Sequence, residues 1–261
     1  MPLPLHPDPE LGAVDPAKGV FETMLVAGGD PVELDPHMAR LAASLRSLFE
    51  AETPPGARED VLSAAHGVAT TAGGRELGRL RLTVAPGAGD RLVHEIAVAE
   101  VDPATVFPGP ERGVALRGVA APGWDGRHKW ADRAGLERLE ASLGGAAPLL
   151  LGEDSVALET SRANVFAVSG GELRTPPLDG RVLPGIARAR TIEIAAEIGV
   201  EVSECPLPLA ELLEAEEVFL TGSVRGIEPV GSLDGTALRH ACSLTLRLAA
   251  ELRRRWMGVA P

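Results

Sequence analysis

The stretch ETSRANVFAVSGGELRTPPLDGRVLPGIAR, residues 159–188, decides how this chain folds. ANVFAV is a run of β-branched, aromatic and small apolar residues, Gly170 and Gly171 turn the chain, and ELRT sends it back, which predicts a hairpin. Pro184 then opens a helix over GIARARTIEIAAEIG, closed by Gly199, because proline suits a first helical turn and glycine a left-handed stop. Upstream, PLLLG and SVALET read as two more strands, and residues 132–143 as a helix. Downstream, VEVSE is a strand, PLAELLEA a short helix, EVFLTG a strand, and 236–256 a long last helix.

The first part of the chain reads similarly. GVFETMLV (19–26) is a strand, residues 28–30 turn it, and PVEL returns. In DPHMARLAASLRSLF, Asp35 suits an N-cap and Pro36 the first helical position, while Met38, Leu41, Leu45 and Leu48 recur at helical spacing. A second helix is predicted over 58–71, and strands over 79–85 and 91–99. The turn-rich APGWDG marks a joint. The organisation is therefore a loose leader (1–18), an N-terminal α/β domain (19–120), a linker (121–126) and a C-terminal domain (127–261). Hairpins are too frequent for a doubly wound parallel sheet, so the class is α/β of the α+β kind.

Tyrosine is absent and aromatics are few, so the cores must be aliphatic. The net charge of −12 disfavours nonspecific binding to nucleic acid or to an anionic membrane. LPLHPDPELG has no basic region leading into an apolar run, and no apolar stretch approaches a membrane span, so a cytoplasmic protein is expected. Cys205 and Cys242 follow no metal or redox spacing and read as packed, reduced thiols. His94-Glu95 begins like a zinc-protease pair, but Val98 stands where the second histidine is needed, and no metal site is expected. GSVRG (222–226) places its serine one position too early for a nucleophile elbow.

Lys18 and Lys129 are the only lysines, while arginine supplies every other basic residue. A lysine amine can deprotonate and attack a carbonyl, which a guanidinium does not do, so a lysine surviving in GRHKWADR (126–133) is a candidate catalytic group. Chance survival is the plainer alternative, because Lys18 also survived, in a segment that looks dispensable.

Six motifs in order bear on that choice: GVFET (19–23), HMARL (37–41), HKWADR (128–133), ETSRANVF (159–166), TPPLDGRVLPGIAR (175–188) and FLTGSVRGIEPV (219–230). Together they resemble the fold type IV pyridoxal-phosphate enzymes, the class IV aminotransferase family, which holds branched-chain and D-amino-acid aminotransferases and aminodeoxychorismate lyase. The resemblance implies a homodimer whose larger C-terminal domain is a strand-rich pseudobarrel that binds pyridoxal 5'-phosphate. It implies that Lys129 carries the cofactor and shuttles protons, and that Glu159, with Asn164 beside it, pairs with the pyridine nitrogen. Arg40, the helix start at Gly185, Ile186 and Ala187, and the turn at Ser223 and Val224 would hold the phosphate. Many relatives have threonine where Ala187 stands, so a backbone contact survives there and a hydroxyl contact does not.

Among the members, the chain looks closest to aminodeoxychorismate lyase, which acts by covalent capture of the substrate amine, proton abstraction and β-elimination. Branched-chain transaminases carry a tyrosine shortly after the lysine, and Arg133 stands near that place. The lyase substrate has two carboxylates, for which Arg81, Arg225 and Arg133 are the candidate cations, each also readable as a surface salt bridge. An aminotransferase acting on branched-chain or D-amino acids is the alternative, and a noncatalytic binding relative a third reading. An aminodeoxychorismate synthase is the partner that the lyase reading implies.

Overall fold

The structure, a computed structural model, describes residues 11, 14–70, 77–239 and 242–258. The expected leader lies largely outside these residues, as does position 71 at the end of the second predicted helix. The chain divides into two compact units. The smaller runs to Val106 and includes His128–Arg133; the larger holds Phe107–Arg127 and the chain from Ala134 onward. The sequence marks a joint at 121–126; the division falls instead at Val106, and the lysine segment returns to the smaller unit.

The smaller unit runs β1 (Val20–Ala27), β2 (Asp30–Pro31), α1 (Leu34–Phe49), α2 (Ala57–Thr70), β3 (Leu77–Pro86) and β4 (Leu92–Glu100). Its sheet has the order β2-β1-β3-β4, antiparallel throughout. Strand alternation sends Val20, Met24, Val26, Leu80, Leu82 and Val84 into a core with Leu41, Leu45, Val61 and Ala65 of the helices. The other face carries Phe21, paired with Thr83, and Arg81, paired with Thr23. Gly19 has φ +74°, and a Cβ there would lie 1.9 Å from the Val84 carbonyl oxygen, so only glycine fits at the entry to β1. Asp35 is not the N-cap of α1. Glu33, in a left-handed conformation, takes that position without a side-chain bond, and Asp35 sits in the first turn facing Arg58 at 2.6 Å.

The larger unit contains β5 (Val114–Ala120), α3 (Ala134–Ser142), β6 (Ala147–Leu151), β7 (Val156–Thr160), β8 (Asn164–Ser169), β9 (Glu172–Thr175) and α4 (Ile186–Glu197). It continues with β10 (Val202–Glu204), β11 (Leu207–Pro208), α5 (Leu209–Glu214), β12 (Glu217–Gly222), β13 (Gly226–Leu233), β14 (Thr236–Ala237) and α6 (Ser243–Met257). Six strands close on themselves in the order β8-β12-β13-β5-β6-β7, and the closing pair is Glu159 with Asn164. Val165, Ala167, Val218, Leu220, Leu149 and Leu116 belong to one aliphatic core, as the missing tyrosines required. Most neighbours are antiparallel, with β5 running parallel to both β6 and β13.

Three sequence expectations change here. β13 is not among the predicted strands, because Pro229 and two glycines demote GIEPVGSL, yet it is central and absorbs an irregularity between Val230 and Ser232. The last helix begins at Ser243, since Thr236–Ala237 pairs with β13, while residues 240 and 241 lie outside the described residues. Pro184 precedes the N-cap of α4, which is Gly185.

Glu217 supplies the cap that α6 lacks at Cys242. Its carboxylate accepts from Leu244 N–H (3.0 Å), Thr245 N–H (2.7 Å), the Thr245 hydroxyl (2.6 Å) and the Ser243 hydroxyl (3.1 Å). Burial pushes this carboxyl up, but those donors outweigh it and hold it below the usual range. Its contribution is therefore present above the ordinary carboxylate pKa and lost as pH falls. Glu217→Ala should cost about 2 kcal/mol in a denaturant titration at pH 7, and less in acid. An unchanged midpoint at pH 7 would contradict this role. Cys205 is half-buried, and Cys242 is buried with its thiol pushed up by burial and by Glu217; both are free thiols. No helix among the described residues is long and apolar enough to cross a membrane.

Candidate active site

The lysine segment lies along the beginning of β1. Phe21 N–H donates to the Lys129 carbonyl at 2.8 Å and Ala131 N–H to the Gly19 carbonyl at 2.9 Å, an antiparallel bridge between Val20 and Trp130. Asp132 accepts from Lys18 Nζ at 2.9 Å and from Asp15 N–H at 3.0 Å. The second lysine thus anchors the segment that bears the first, and residues 15–18 are tied down rather than loose. This was invisible in sequence because 114 positions separate Lys18 from Asp132.

Three cations surround the Phe21 ring. The Arg81 guanidinium carbon is 3.9 Å from its centroid, Lys129 Nζ 4.7 Å and the Arg133 guanidinium carbon 6.0 Å. The ring quadrupole attracts each cation. The structure therefore brings together Lys129, Arg81 and Arg133. Arg225, the third expected cation, is instead on the β12–β13 turn of the larger unit, half exposed and paired with Glu228 at 2.5 Å. Burial raises the Glu228 carboxyl, with Arg225 opposing.

On the opposite face of β1, Glu22 is buried and accepts from Arg40 through Nε (2.8 Å) and Nη2 (2.6 Å), with His37 Nδ1 2.6 Å away. Burial pushes the Glu22 carboxyl up, but the Arg40 charge, the Arg40 hydrogen bonds and His37 together bring it down to about 2. Burial pushes the His37 imidazole down, and Arg40 and Lys129 add to that against the pull of Glu22. Arg40 is thus a forked, oriented guanidinium, unlike Arg46, which meets the exposed Glu52 at 3.5 Å. Sequence reasoning names Arg40 and passes over Glu22 and His37, although both lie inside the GVFET and HMARL motifs.

In the larger unit Glu159 is buried at the barrel closure. Its Oε1 accepts from Trp124 Nε1 at 3.0 Å, and its Oε2 from Leu183 N–H at 3.0 Å and from Asn164 Nδ2 at 3.4 Å. Asn164 Nδ2 also donates to the Leu183 carbonyl at 3.0 Å. Trp124, which in sequence is only part of a joint, is therefore a direct partner of the carboxylate. A Cβ on Gly185 would lie 2.0 Å from Asn164 Oδ1, so glycine lets the start of α4 reach this group. Gly185 makes no side-chain cap, and Ile186 and Ala187 are buried. Backbone N–H groups at such a helix start suit an anion. Ser223 and Val224 occupy the half-buried β12–β13 turn.

The smaller unit thus holds a lysine among arginines at Phe21, and the larger unit an oriented buried carboxylate beside a helix start without a side-chain cap. The family model for amino-transferase class IV matches residues 19–233, and the chain belongs to that family. Over 127 residues it is 34% identical to a putative branched-chain-amino-acid aminotransferase of Methanocaldococcus jannaschii, covering 46% of this chain and 44% of that protein. Over 75 residues it is 48% identical to the mitochondrial branched-chain-amino-acid aminotransferase 1 of Arabidopsis thaliana, covering 29% of this chain and 20% of that one. The match thus spans less than half the length of these curated relatives. Among solved structures it resembles a fold IV transaminase from Curtobacterium pusillum, with TM-score 0.77 and 27% identity over 96% of this chain and 90% of that one. It also resembles 4-amino-4-deoxychorismate lyase from Pseudomonas aeruginosa, with TM-score 0.74 and 26% identity over 91% and 90%. The mixed α/β fold with its closed barrel is the fold type IV architecture.

Proposed function

We propose that this class IV enzyme uses pyridoxal phosphate to convert 4-amino-4-deoxychorismate to 4-aminobenzoate and pyruvate. The observation that carries this reading is the grouping of Arg81 and Arg133 with Lys129 around Phe21. The substrate has an amine and two carboxylates, and two arginines beside an amine-reactive lysine match that set.

The donor set fits the cofactor: a lysine, a buried carboxylate with oriented oxygens, an uncapped helix start and a forked arginine. When bound, pyridoxal phosphate supplies the electron sink for negative charge at the amine-bearing carbon. Lys129 would carry it at rest, and Lys129 Nζ, once the substrate amine has displaced it, would take the proton from that carbon as general base. Glu159, oriented by Trp124 and Leu183, would accept the ring N–H. Arg40 and the N–H groups of Ile186 and Ala187 would hold the phosphate, with Ser223 and Val224 closing it in. Arg81 and Arg133 hold the substrate carboxylates. Glu159→Gln should retain cofactor and lower kcat by about 10²-fold or more, because a neutral amide is a poorer partner for a protonated ring nitrogen. Cofactor content and steady-state rate measure this, and an unchanged rate would remove Glu159 from the site.

A second reading, an aminotransferase, is favoured by the names of the curated relatives. A paired assay on cofactor-loaded protein separates the two. One arm supplies 4-amino-4-deoxychorismate and follows 4-aminobenzoate and pyruvate; the other supplies L- and D-amino acids with a keto-acid acceptor and follows the new amino acid. Product in the first arm alone supports the lyase. Product in the second alone makes the chain an aminotransferase, and silence in both removes each.

A further inference from the structure

Thr221 is the last residue but one of β12, and Gly222 separates it from Ser223 in the turn that follows. It is 2% exposed, and its hydroxyl has no hydrogen-bond partner among the described residues. Sheet register explains where that hydroxyl points. Thr221 stands directly across from Asn164 on β8, and Asn164 directly across from Glu159 on β7. Directly opposed residues share a face of the sheet, so Glu159, Asn164 and Thr221 form one polar row. Next along the same face, Phe219 and Phe166 stack with centroids 5.1 Å apart and rings 4° from parallel, an apolar floor beside the row. The start of α4 reaches this row at Gly185.

A buried hydroxyl without a partner is costly, and valine would fill the same volume without that cost. Its neighbours in the row are bonded: Glu159 has three N–H donors and Asn164 bonds Leu183. We infer that the Thr221 hydroxyl is a direct hydrogen-bond partner of bound pyridoxal phosphate, alongside Glu159 and the start of α4. The inference rests on the reading that pyridoxal phosphate is the cofactor.

The test compares wild type, Thr221→Val and Thr221→Ser as full-length apo-protein. Pyridoxal phosphate is titrated in by absorbance, and the apo Tm is measured separately. Thr221→Val should weaken cofactor affinity about tenfold while leaving the apo Tm equal or higher, because no protein hydrogen bond is lost. Thr221→Ser, which keeps the hydroxyl, should bind within about twofold of wild type. Two results would overturn the inference: an unchanged Kd in Thr221→Val, or a lowered apo Tm, which would reveal a partner within the protein. If wild type itself takes up no pyridoxal phosphate, the proposed function fails and this inference with it. If wild type binds and Thr221→Val binds equally, only the inference fails.

Discussion

Lys129→Ala should abolish turnover, lowering kcat by at least about 10³-fold, while the apo-protein melts near the wild-type temperature. The segment is held by its backbone, through the Lys129 carbonyl and the Ala131 N–H, so removing the side chain leaves these bonds in place. The cofactor should then release on dialysis instead of remaining attached. Lys129→Arg separates chemistry from charge, because it keeps the cation but not a deprotonable amine, and it should be as inactive as the alanine variant. Turnover near wild type in either variant would sink the assignment.

Glu22→Gln should be the most destabilising single polar change. It leaves the Arg40 guanidinium buried without its carboxylate, at a cost of about 3 kcal/mol and a Tm loss on the order of 10 °C. The pH dependence is set by the sign of the shift. With a folded pKa of about 2 against an ordinary 4.5, the ionised carboxylate contributes fully above 4.5, and the contribution fades as pH falls toward 2. His37 adds a loss in the same direction at higher pH: its folded pKa is lowered from 6.5, so the unfolded chain takes up its proton first as pH drops. Melting curves of wild type and Glu22→Gln between pH 7 and pH 3 should therefore converge in acid. Equal Tm values at pH 7 would show that the fork contributes nothing net. Because Glu22 orients Arg40, the same variant should also weaken binding of any phosphate that Arg40 holds.

The strands and helices around the candidate site were legible because each rests on short-range rules. The alternation in RLRLTVA, the helical spacing from Met38 to Leu48 and the double glycine at 170–171 all appear as elements within a few residues of the expected bounds. Where local rules misled, a tertiary partner took over. Asp35 looked like a cap until Glu33 adopted the left-handed turn. No element of its own is expected over GIEPVGSL, yet β12 and β5 hold it as a strand from either side. The helix at the C-terminal end lacked any visible cap, since its capping carboxylate, Glu217, comes from β12.

The candidate site divides in the same way. Residue identity marked Lys129, Arg40, Glu159 and Asn164, because a rare lysine and ordered motifs are one-dimensional signals. The sequence also determined an aliphatic core, a mixed sheet and the family, through composition and motif order. Only the tertiary structure decided that Trp124 and Leu183 orient Glu159, that Glu22 and His37 hold Arg40, and that Lys18 anchors the lysine-bearing segment. It also gathered Arg81 and Arg133 on Phe21 and paired Arg225 with Glu228. Each of these is a hydrogen bond, ion pair or ring contact whose partner is set by strand register and chain crossing. Sequence spacing carries no information about such partners until the sheets have closed.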